Sequence, residues 1–145
     1  MDDIRSNTHF AGPLNIFLGY EIKFNVRCLA LVESVGIWPW KWIEVSRGFY
    51  QLSPRMQRAV LLHELGHIYA LHQEKRILRF LDALFRPEKF REMCHNQEHD
   101  ADRFATQLGF GDELCRLYAA LKEQDYPGAE LYPSLQSRIQ RILEA

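Results

Sequence analysis

Hydrophobic and polar positions alternate with a period of two over residues 20–32. Tyr20, Ile22, Phe24, Val26, Cys28, Ala30 and Val32 fall on one side, with Glu21, Lys23, Asn25 and Arg27 on the other. That period predicts a half-buried strand. A second extended stretch covers Trp40–Val45. Pro39 just before it suits a strand start or a sheet edge, so an edge strand is expected there. After Gln51 the pattern becomes helical. Ser53-Pro54 supplies an N-cap residue followed by proline at the first helical position, and Val60, Leu61, Leu65 and Ile68 recur at helical spacing. Ile77, Phe80, Leu81, Leu84 and Phe85 form an apolar stripe that ends at Arg86-Pro87. This stripe predicts a core-facing helix, with a membrane-surface helix as the alternative. Further helices are expected over 88–108, stopped at Gly109, over 112–124 and over 134–144.

Composition narrows the class of molecule. With 145 residues and 47% hydrophobic side chains the chain can bury a core, which fits one α+β domain spanning 1–145. The net charge of −1 comes without a cluster of lysines and arginines, so no nucleic-acid partner is expected. No apolar run approaches the roughly 20 residues of a membrane span. The start, Met-Asp-Asp-Ile-Arg, is acidic where a secretory signal is basic, and a cytoplasmic location is the expectation. Cys28, Cys94 and Cys115 form no CxxC pair and read as reduced thiols.

The chemistry concentrates at residues 63–67, His-Glu-Leu-Gly-His, an HExxH pattern inside a segment independently read as helix. At 3.6 residues per turn His63 and His67 differ by only about 40° around the axis, so both imidazoles can meet one ion. Glu64 lies about 100° round, where a carboxylate can reach a water beside the ion and act as general base. A hydrolytic zinc takes three protein ligands and keeps an open position. The best third ligand is Glu98, within Glu98-His99-Asp100-Ala101-Asp102. Asp102, one turn on and beside the small Ala101 and Ala105, can accept the second N–H of a ligand histidine. His95, His99 and Cys94 stand as alternative ligands on the same helix, and His72, about 140° round from His67, reads as structural.

These residues resemble the gluzincin metallopeptidases, in particular the CAAX prenyl protease and HtpX-type family and its small soluble relatives, the minigluzincins. The family's His-Glu-x-x-His with a further His five residues on is met by His63, Glu64, His67 and His72. Its Glu-x-x-Ala-Asp motif is met by Glu98, Ala101 and Asp102, and a late His-Pro…Arg-Ile by Tyr132-Pro133…Arg138-Ile139 with Tyr in place of His.

The resemblance implies a zincin-like fold, in which a small, partly antiparallel sheet with an edge strand packs on the HExxH helix. It implies a zinc endopeptidase with Zn2+ on His63, His67 and Glu98, Glu64 as general base, and Arg138 and Tyr132 steadying substrate or the developing oxyanion. The substrate would be a peptide or unfolded protein aligned as an extended strand along Trp40–Val45. Two other readings keep the same metal site: a zinc-binding interaction module without turnover, and a latent enzyme whose 131–145 segment fills the cleft.

Overall fold

The computed structural model describes residues 14–28, 30–121 and 129–145. Four strands, β1 (Leu14–Phe17), β2 (Tyr20–Phe24), β3 (Val32–Ile37) and β4 (Trp40–Val45), form one sheet in the order β1-β2-β4-β3. The β1/β2 and β3/β4 pairs are antiparallel, while β2 and β4 run parallel, with Ile22 opposite Ile43 and Phe24 opposite Val45. The architecture is therefore mixed α+β.

Two sequence expectations change here. The alternation over 20–32 does not form one strand, because the chain turns at Asn25. Its Oδ1 accepts from the Arg27 N–H at 2.9 Å and its carbonyl from the Cys28 N–H at 3.1 Å. An asparagine that bonds its own backbone two residues on is a turn former, and the apolar/polar alternation passes through it unchanged. Trp40–Val45 is also not an edge. It lies between β2 and β3, and the sheet edge on that side is β3. Pro39 sits in the β3–β4 hairpin turn, outside the ladder, so it places no demand for an edge on the strand that follows.

Helix α1 (Pro54–Tyr69) starts as its sequence predicts, with Ser53 Oγ accepting from the Met56 N–H at 3.3 Å. Residues 58–68 are buried without a break, on every face, which marks a central helix rather than a surface one. It packs between the sheet and α4 (Pro87–Gln107), with Leu61, Leu62 and Leu65 joining Ile43, Val45 and Phe49 in the core. Gly109, at φ +88°, sits just beyond α4, where a left-handed residue lets the chain turn away.

Short helices α2 (His72–Leu78) and α3 (Phe80–Phe85) link α1 to α4, and α5 (Gly111–Ala120) and α6 (Leu135–Leu143) complete the helical layer. Helix α5 stops at Ala120, short of the expected 124, and 122–124 lie outside the described residues. The 77–85 stripe does not face the core. Ile77, Phe80, Leu81, Leu84 and Phe85 are all exposed, because α2 and α3 lie on the outside of α4 and bury Asp82 instead.

Candidate metal centre

Helices α1 and α4 approach closely because Gly66 carries no side chain. A Cβ there would stand 2.9 Å from the Ala101 Cα and 3.3 Å from its carbonyl oxygen. The small residues at 66 and 101 thus let two backbones touch. That contact brings residues about 35 positions apart onto one spot. His63 Nε2 lies 3.1 Å from His67 Nε2 and 3.4 Å from Glu98 Oε2, and His67 Nε2 lies 3.5 Å from Glu98 Oε1. All three side chains are buried, and among the described residues they are the group whose donor atoms could hold a metal ion.

The remaining nitrogens of both imidazoles are held. His63 Nδ1 lies 2.9 Å from Asp102 Oδ1, the partner expected for it. His67 Nδ1 lies 2.8 Å from His72 Nδ1, so His72 fixes the ring of its neighbour. Burial and the adjacent His67 push His72 down to about 3, keeping it neutral. With His67 Nδ1–H donating to His72, both His63 and His67 turn Nε2 toward Glu98.

Burial works against a charged His63, yet its hydrogen bonds to Asp102 and Glu98 outweigh that and push it up to about 9. Burial would likewise raise Glu98, but His67 and His63 hold it well below the ordinary carboxylate range.

A second layer surrounds these groups. Arg138 from α6 donates through Nε to Asp102 Oδ2 at 2.8 Å and through Nη2 to Asp102 Oδ1 at 2.7 Å. It also donates to the Tyr118 hydroxyl, and its Nη1 lies 3.6 Å from Glu98 Oε2. Tyr118, buried in α5, donates to Asp102 Oδ1 at 2.7 Å. From α2, Arg76 reaches Glu98 Oε1 at 3.1 Å and Gln97 Oε1 at 2.6 Å. Sequence reasoning missed Tyr118 and Arg76. Tyr118 stands on the apolar face of α5 with Leu114 and Leu117, and Arg76 among other cations of α2, so neither carries a local signal.

Glu64 points its Oε2 at the edge strand, where the Ser34 N–H donates to it at 2.7 Å, and its Oε1 lies 4.0 Å from His63 Nε2. It opens on a cleft of about 730 Å³ whose walls include Ser34 of β3, Ile77, Phe80, Leu117, Tyr132 and Pro133. Tyr132 and Arg138 line this cleft, so part of the 131–145 segment builds a wall.

The alternative ligands stand apart. His95 Nε2 pairs with the Glu130 carbonyl at 2.8 Å. Among the described residues the buried His99 Nδ1 has no hydrogen-bond partner, and burial raises the Cys94 thiol above its ordinary value. Among the described residues no helix is long and apolar enough to cross a membrane. No protein-family model, no curated protein and no solved structure matches this chain.

Proposed function

We propose that the chain is a zinc-dependent endopeptidase of gluzincin type, with His63, His67 and Glu98 as the metal ligands and Glu64 as the general base. The observation that carries this reading is a buried His/His/Glu donor set with a carboxylate beside it at the wall of an open cleft. The donor set fits zinc. Ligands about 2.0–2.1 Å from a tetrahedral ion stand roughly 3.3–3.4 Å apart; the two Nε2 atoms here are 3.1 Å apart, and Glu98 sets Oε2 3.4 Å from the first and Oε1 3.5 Å from the second. Two imidazoles and one carboxylate leave a fourth position open, as hydrolytic sites do and structural sites usually do not.

Zinc, when bound, supplies Lewis acidity toward a carbonyl and lowers the pKa of water. The protein's own groups do the rest. The Ser34 N–H anchors one oxygen of Glu64, and the other takes the proton of the attacking water and hands it to the leaving nitrogen. Asp102 and His72 hold the ligand imidazoles in the tautomers that offer Nε2. Arg138 binds Asp102 on both oxygens, which makes it a positioning residue, and Tyr132 on the cleft wall supplies a phenol to the developing oxyanion. An extended peptide lies beside β3, the strand that borders the cleft, in place of Trp40–Val45.

The test pairs metal analysis with cleavage of an unfolded protein. Wild type should bind one zinc and hydrolyse the substrate, and Glu64→Gln should keep the zinc while turnover drops on the order of 10²–10⁴-fold. A wild-type protein that binds zinc but never cleaves would favour the interaction module instead.

A further inference from the structure

Two side chains one turn apart on α2 each touch a different candidate ligand. His72 and Arg76 differ by only about 40° around the helix axis, so they share a face. His72 Nδ1 meets His67 Nδ1 of α1 at 2.8 Å, and Arg76 Nη2 donates to Glu98 Oε1 of α4 at 3.1 Å. His72 fixes a ring that has one free nitrogen. Arg76 acts on a carboxylate, which has two oxygens to offer.

Arg76 is itself held in place. Its Nε donates to Gln97 Oε1 at 2.6 Å, and the Gln97 amide nitrogen donates to the His72 carbonyl at 3.3 Å, which closes a ring of bonds through α2 and α4. Gln97 and Glu98 are adjacent in sequence, so one guanidinium spans both. Glu74, about 200° round from His72, faces the other way and accepts from Lys41 and from the Trp38 N–H of the β3–β4 hairpin. Helix α2 is thus pinned to the sheet on one side and presents a preset donor to Glu98 on the other. The Arg76 side chain stands at the cleft wall and is 30% exposed against 5% for Glu98, so replacing it opens no cavity in the core.

The position of Glu98 gives that donor a task. Its Oε2 lies 3.4 Å from His63 Nε2 and its Oε1 3.5 Å from His67 Nε2, so the two oxygens face the pair of imidazoles almost equally. A carboxylate can ligate through one oxygen or through both, and the second mode takes up a further position on the ion. A charge-assisted donor on one oxygen breaks the tie. Arg76 supplies it to Oε1 at 3.1 Å, whereas Arg138 Nη1 stands 3.6 Å from Oε2, too far for a hydrogen bond.

We propose that Arg76 is a positioning residue that reserves Oε1 of Glu98, leaving Oε2 as the one oxygen offered to the metal and so preserving the open position. The inference rests on Glu98 as the third ligand and adds how many of its oxygens it gives. Arg76 acts through Glu98 and not on substrate.

Cobalt titration of the full chain tests this without any turnover, because Co2+ absorbs visible light strongly in a four-coordinate site and several-fold more weakly in a five-coordinate one. Wild type should take up one equivalent with the strong bands. Arg76→Met, which keeps an apolar stem but carries no donor, should still bind one equivalent while the bands weaken several-fold. Arg76→Lys, which restores a cationic donor, should recover part of the lost intensity. Gln97→Leu keeps Arg76 but removes the amide that fixes it, and should weaken the bands in the same sense. Three outcomes overturn the proposal alone: wild type that already shows the weak bands, a folded Arg76→Met that binds no cobalt, or bands equal to wild type in Arg76→Met, or in Gln97→Leu should the first variant not fold. Wild type that takes up no cobalt at all overturns the metal centre together with it, which separates the two failures.

Discussion

Asp102 Oδ1 stands 2.9 Å from the Nδ1 of His63, and the same oxygen accepts from Arg138 and Tyr118. One carboxylate thus orients a candidate ligand and neutralises a buried guanidinium. Asp102→Asn should weaken zinc binding by about 10–100-fold through loss of the imidazole's orientation. Leaving Arg138 with only its 3.6 Å contact to Glu98 as countercharge should also cost up to about 3–5 kcal/mol of stability. Chelator competition reads the first effect and urea denaturation the second. Tyr118→Phe removes one donor from the same oxygen and should cost only about 1 kcal/mol.

The third ligand can be assigned by substitution. Glu98→Ala should abolish stoichiometric zinc, whereas His99→Ala and Cys94→Ala should retain it, as measured by elemental analysis after dialysis. His99 and Cys94 share a helix with Glu98 but stand outside its donor group. Zinc lost on His99→Ala and kept on Glu98→Ala would reverse the assignment.

Gly66 offers a test of the helix contact itself. Alanine there gains roughly 1 kcal/mol of helix propensity. Its Cβ, however, would meet the Ala101 Cα at 2.9 Å and the Phe104 Cβ at 3.1 Å, and the first of these is backbone that cannot swing aside. Overpacking of this kind costs about 1–3 kcal/mol. Gly66→Ala should therefore melt lower and bind zinc more weakly; a variant that melts higher would show that the helices can separate at little cost.

A pH effect is expected at Glu74. Burial alone would raise this carboxyl, but its bonds from Lys41 and the Trp38 N–H hold it below its ordinary value near 4.5. The group binds its proton less readily folded than unfolded. Its stabilisation is then complete above pH 4.5 and disappears as the pH falls through the lowered folded value. Glu74→Gln should cost about 1–2 kcal/mol at neutral pH and should flatten the acid limb of a plot of Tm against pH. An acid limb of unchanged slope would remove Glu74 as its source.

The parts of this molecule that were legible in its sequence are those set within one helix. His63 and His67, and likewise Glu98 and Asp102, are four residues apart, so helical geometry alone puts each pair on one face. One cap was legible for the same reason, with Ser53 bonding a backbone N–H three residues on. What depends on packing was not. The 77–85 periodicity shows that one face is apolar, but not whether anything covers it. Strand order moved the edge from Trp40–Val45 to β3, because Pro39 speaks only of the N–H it lacks. Tyr118 and Arg76 meet Asp102 and Glu98 only after separate helices have docked.

The close approach of Gly66 to Ala101 has a thermodynamic consequence. His63 and His67 ride on one of the touching helices and Glu98 on the other, with Leu61, Leu62 and Leu65 of the first helix among the fully buried side chains. No hinge or peripheral loop carries a donor, so the cluster has no way to come apart by local fraying. Ion release and collapse of the interior should be a single cooperative event, and hydrogen exchange at the amides around 63–67 should slow to the global unfolding limit.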